Sequence, residues 1–76
     1  MKTLKSILES YCIKEVLIRD NTKLEVIVLK RNRSLSINEW VNFVIGLKYL
    51  FNKDIEFITF SKELNLDEFN HVRSDD

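Results

Sequence analysis

The stretch IKEVLIRDNTKLEVIVLK, residues 13–30, decides the fold. Its two ends, 13–19 and 24–30, are rich in β-branched residues, which fit a pleated, half-buried surface. Asp20-Asn21-Thr22-Lys23 between them is turn chemistry, because Asp and Asn tolerate positive φ. Two strands joined by so short a turn predict a hairpin. In the second strand the apolar run Val26-Ile27-Val28-Leu29 is unbroken. Such a run suits a strand covered on both faces, so this strand is expected centrally in its sheet.

C-terminal to the hairpin, Ser36 and Glu39 form a Ser-x-x-Glu capping box, with Leu35 and Trp40 at the positions of a hydrophobic staple. The spacing predicts a helix over 37–52. Residues 54–60, Asp-Ile-Glu-Phe-Ile-Thr-Phe, predict a third strand. Strand, helix and strand over this length make a right-handed crossover between parallel neighbours, on either side of the hairpin. Asn65 and Glu68 suggest a second capping box, opening a short helix over 66–72 with Leu66, Phe69 and Val72 facing in. At the other end, Leu4, Ile7, Leu8, Tyr11 and Cys12 share one face of a helix over 4–12, with Thr3 as its N-cap. Cys12 is thereby expected in the core.

The expectation is an α+β fold in the order α-β-β-α-β-α, with a three-stranded mixed sheet packed by helices. Residues 1–73 form a single domain and 74–76 a frayed tail.

Composition narrows the function. Of 76 residues, 45% are hydrophobic and 32% charged, which is globular rather than disordered. Twelve cations balance twelve anions, whereas a dedicated nucleic-acid or membrane-surface protein carries basic excess. No apolar run approaches the ~18 residues of a membrane span. Met1–Ser6 is too short and too interrupted by charge for a signal peptide. A single cysteine excludes an intrachain disulfide, and with one histidine it falls short of a zinc ligand set. These features point to the cytoplasm and to no metal or cofactor.

Catalytic constellations are poor. His71 is the only histidine and is expected to be exposed near the chain end. Gly46 is the only glycine and lies mid-helix, so no Gly-rich phosphate loop exists. Glu15, Glu25 and Glu56 lie on strands, and pairing with Lys14, Lys23 or Arg19 accounts for them better than a paired-carboxylate site.

Two surfaces remain. Trp40, Phe43, Val44, Leu47, Leu50 and Phe51 form a broad stripe on the helix over 37–52, enough to cover the sheet. Val41, Ile45 and Tyr49 form a second stripe on nearly the opposite side, rimmed by Asn38, Asn42, Lys48 and Asn52. An apolar stripe with a polar rim reads as an interaction surface, unless the terminal helices cover it. The second candidate is the basic loop with Lys30, Arg31 and Arg33, which suits phosphate or an acidic partner. Lys14, Arg19 and Lys23 extend it across the hairpin. No aromatic is interleaved with these charges, so the platform on which single-stranded bases stack is missing.

Ile13-Lys14-Glu15-Val16-Leu17-Ile18, Leu24-Glu25-Val26-Ile27-Val28-Leu29 and Asp54-Ile55-Glu56-Phe57-Ile58-Thr59 together resemble the core of the minimal nucleotidyltransferase domains of bacterial toxin–antitoxin pairs. Two motifs of that family are missing. Its Gly-Ser pair after the first strand is replaced by Asp20-Asn21-Thr22, and its Asp-x-Asp by Lys23 and Glu25. One carboxylate and one ammonium cannot hold a pair of Mg²⁺ ions. The resemblance therefore implies a degenerate, non-catalytic relative.

The sequence as a whole favours a non-enzymatic protein-binding module, a regulator or inhibitor of a larger protein, with a homodimer as one form of that binding. Nucleic-acid or phosphate-ligand binding through the 30–33 loop is the alternative.

Overall fold

The hairpin forms where the β-branched segments predict it. In the computed structural model, which describes residues 3–74, β1 (Ile13–Asp20) pairs antiparallel with β2 (Leu24–Arg31). The Asn21 amide donates to the Lys23 carbonyl (3.1 Å) and closes the turn. The register carries two irregularities: Leu29 has no partner between Val28 and Lys30, and Lys14 has none between Ile13 and Glu15. Extra residues of this kind bend a strand and sharpen its twist.

Helix α2 (Ile37–Phe51) follows the capping box as expected. The Glu39 amide donates to Ser36 Oγ (3.2 Å), and the Ser36 amide donates to Glu39 Oε1 (3.1 Å). Two N–H groups with no partner inside the helix are thereby satisfied. Asn52 ends the helix in the left-handed conformation, φ 54°. The chain then returns as β3 (Ile55–Phe57), parallel to β2, so the predicted crossover between parallel neighbours is present. β3 is shorter than the expected 54–60, although Ile58 still donates its amide to the Val26 carbonyl (2.9 Å).

The last segment departs from expectation. Residues 66–72 are not a helix: a single 3₁₀ turn (Leu66–Glu68) leads into β4 (Asn70–Arg73), which pairs antiparallel with β1. The sheet thus has four strands in the order β3-β2-β1-β4, not three, and the last element among the described residues is a strand. The reason is local and tertiary together. Asn65 caps only one tight turn, accepting from the Asp67 amide (3.3 Å). The Glu68 carboxylate, expected to close the capping box, goes instead to the Arg19 guanidinium. The open edge of β1 then offers backbone partners to residues 70–73 that a two-turn helix of this composition would have to supply itself. Ser74, expected in the frayed tail, is buried, and its amide donates to the Lys14 carbonyl (3.0 Å). Asp75 and Asp76 lie outside the described residues.

Both faces of the sheet are covered, by different means. On one face Ile13, Val16, Ile18, Leu24 and Val26 pack against Phe43 and Leu47 of α2 and against Ile7 and Leu8 of α1 (Leu4–Ser10). Phe43 is fully buried, with the rings of Tyr11 and Trp40 edge-on to it and Phe57 stacked, at centroid distances of 5.7, 6.1 and 6.2 Å. On the other face Leu17 and Ile27 pack with Phe69, flanked by Ile58, Leu64 and Leu66. Leu66, Phe69 and Val72 therefore do not share one inward face: the first two cover the far side, and Val72 joins the helix-side core. The unbroken run in β2 is explained as far as Val28, which packs against the helix-side core, whereas Leu29 is exposed.

α1 ends earlier than its periodicity predicts, at Ser10. Cys12 lies beyond it in the left-handed conformation, φ 57°, where the chain turns into β1. It is half-buried rather than a core residue on a helical face.

The two helices meet at Gly46. A Cβ added there would stand 3.7 Å from the Ile7 side chain, an ordinary van der Waals distance. Glycine in a helix interior is less favourable than alanine, chiefly through backbone entropy. Gly46→Ala is therefore expected to raise unfolding stability by roughly 0.5–1 kcal/mol, read as a shifted denaturant midpoint with unchanged slope.

Candidate protein-interaction surface

α2 has two apolar sides. Toward the sheet it buries Phe43 and Leu47, with Trp40 and Phe51 partly covered against the same core. Leu50, expected on this side, is exposed instead, at the helix margin. On the outward side Val41 and Ile45 are 50% and 45% exposed, and Tyr49 is 85% exposed. Among the described residues, neither terminal segment covers them. α1 packs beside the stripe, leaving a groove of about 530 Å³ with Ser6, Ser10 and Tyr11 on one wall and Asn42, Ile45 and Tyr49 on the other. β4 lies at the far edge of the sheet.

Sequence reasoning missed one member of this surface. Ile37 is 82% exposed, four residues before Val41, and extends the outward row to Ile37, Val41, Ile45 and Tyr49. The signal was present in the i, i+4 spacing but was masked because Ile37 is the first helical residue after the cap, where attention falls on the capping box.

The basic loop does not converge. Arg33 grips Glu39 with both guanidinium nitrogens, at 3.0 and 2.6 Å, and also donates to the Ser34 carbonyl (3.2 Å). Arg31 extends over the Trp40 ring, 5.8 Å from its centroid. Lys30 points to a separate shallow depression with Lys14, Glu15 and Arg73. The expected extension through Arg19 also fails. That guanidinium is held by Glu25 and Glu68 and lies 4.7 Å over the Phe69 ring, on the sheet face away from the helices.

Two of the three strand carboxylates, Glu25 and Glu15, have cationic partners, whereas Glu56 has none among the described residues. Glu25 accepts from Arg19 at two atoms, which holds its carboxyl below the ordinary range. Glu15 takes His71 Nε2 and Arg73 Nε, both at 3.0 Å. His71 sits on β4, so a strand rather than a loose chain end places it. Among the described residues no group of three or more His, Cys, Asp or Glu side chains is arranged to hold a metal ion. No helix among them is long and apolar enough to cross a membrane.

Glu39 links the loop to the helix. The Arg33 guanidinium, followed by the Ser36 amide, holds its carboxyl down at about 2, against an ordinary 4.5. A depressed carboxyl contributes stability that is full above its unfolded value and is lost as pH falls. Glu39→Gln is therefore expected to lower stability at neutral pH and to flatten its decline between about pH 4.5 and 2. Denaturation midpoints across that window, for both proteins, measure the difference.

Compared with known proteins, the chain matches no family model, no curated protein and no solved structure.

Proposed function

We propose that this chain is a small, non-catalytic module that binds another protein through the outward face of α2, as a regulator or inhibitor of that protein. The observation that carries this reading is the row Ile37, Val41, Ile45 and Tyr49, exposed on a helix whose opposite side already fills the core. Monomeric proteins rarely leave a contiguous apolar patch without use, least of all one with a polar rim. Asn38, Asn42, Lys48 and Asn52 supply that rim. Tyr49 is suited to anchor the contact, because tyrosine offers large area, a hydroxyl and few rotatable bonds. Its exposure means that a partner recovers most of its apolar surface from water.

Binding of nucleic acid or a phosphate ligand through Lys30, Arg31 and Arg33 has less support. Those three side chains take different directions, and Arg33 is already matched by Glu39.

Tyr49→Asp and Ile45→Asp separate the reading from a core role. Both variants are expected to keep the circular dichroism of the parent. Light scattering on a sizing column comes first: a parent dimer that both variants convert to monomer identifies self-association. With a monomeric parent, immobilised protein is expected to retain a lysate protein that both variants release. Loss of fold in the variants, or retention equal to the parent's, would overturn the assignment.

A further inference from the structure

β2 is paired from end to end on one side, interrupted only at Leu29, and only in part on the other. β3 accompanies it from Leu24 to Val26, and the Ile58 amide adds one more bond to Val26. From Ile27 to Arg31 the outer edge of β2 has no strand partner. An open edge of this kind is a template for another extended chain.

The surroundings of that edge are apolar. Where the chain leaves β3, a groove of about 450 Å³ runs along β2, lined by Val26, Val28, Trp40, Phe57, Thr59 and Phe60 among others. No carboxylate lines it. Phe57 and Phe60 are 44% and 54% exposed, and Leu29, on the unpaired part of β2, is 41% exposed. These rings give pockets for the alternate side chains of an added strand.

Charge then selects the occupant. Lys30 and Arg31 belong to the open end of the edge, Lys30 beside Lys14 and Arg73 and Arg31 over Trp40 at the groove, and neither has an ion-pair partner among the described residues. Glu15, the nearest carboxylate to Lys30 across the strands, is taken by His71 and Arg73. A second copy paired through this edge would bring no anion to Lys30 and Arg31, because Ile27–Arg31 contains no acidic residue. An extended segment that carries acidic residues meets them favourably instead.

We propose that the Ile27–Arg31 edge of β2, with the Trp40–Phe57–Phe60 groove beside it, docks an extended acidic peptide segment of a partner protein by strand addition. This site is separate from the outward face of α2 and does not depend on it.

The probe is a capped peptide that alternates valine with glutamate, titrated into the isotopically labelled protein and followed by amide NMR. Saturable shifts are expected at Val28, Leu29, Lys30 and Arg31 and at the Trp40 indole. The matching valine–lysine peptide is expected to bind roughly tenfold or more weakly. Lys30→Glu combined with Arg31→Glu, both on exposed side chains, is expected to reverse that preference. N-methylation of alternate peptide amides tests the main-chain pairing without touching the protein. Methylating one alternate set is expected to abolish binding, while methylating the other leaves it intact. The proposal is overturned if the acidic and basic peptides bind alike or not at all, or if both methylated forms bind as the parent does. It is also overturned if shifts appear only at Ile45 and Tyr49, or if the free protein already dimerises through β2.

Discussion

The antiparallel pairing of β1 with β2 is the constraint on which the remaining structure depends. Each strand of the hairpin offers one further edge, and each edge is used once: β2 receives β3, and β1 receives β4. The alternation of side chains along the pair creates two apolar faces, which different parts of the chain cover. One face takes the two helices, anchored by Phe43 and Leu47. The other takes only the irregular stretch that ends at Phe69. With so few residues, the hairpin must serve as the inner layer for both sides, because the described residues form no second sheet to share the burial.

What was legible in the sequence was what short-range chemistry decides. The hairpin followed from β-branched composition and a polar turn, and α2 from Ser36, Glu39 and the staple residues around them. The parallel return of β3 followed from chain length and the helix between. β4 was not legible, because its conformation is decided by the free edge of β1 rather than by residues 70–73 themselves. Glu68 shows the same limit at the level of one side chain. Its position relative to Asn65 fits a capping box, yet a guanidinium from a distant strand competes for it and prevails. Cys12 shows it for backbone: helical periodicity continues through it, but the entry into β1 demands a left-handed residue there.

The surface candidates divide in a similar way. The outward row of α2 was visible as a pattern, since a helix needs one apolar side and this helix has two. The loop cations were visible as a cluster but did not stay one. Sequence proximity sets Arg31 and Arg33 side by side, whereas the fold sends one over Trp40 and locks the other to Glu39. The charge at that end of the sheet is therefore carried by Lys30 and Arg31 rather than by the full run. The bulge at Leu29 contributes by turning the end of β2 away from a flat edge, which limits how long an added strand can be.

The pairing of β4 with β1 joins segments separated by most of the chain, with Leu17 opposite His71. The hairpin closes over a turn of a few residues, while β4 closes a loop that contains α2 and β3. Loop closure costs more entropy as the loop lengthens, so long-range pairing forms after local pairing. Phe69 therefore joins the Leu17–Ile27 pair late, and the face it covers lies open until β4 has docked. A chain that holds its hairpin and α2 but not yet β4 leaves the far side of the sheet exposed, which is the kind of surface on which partly folded chains associate.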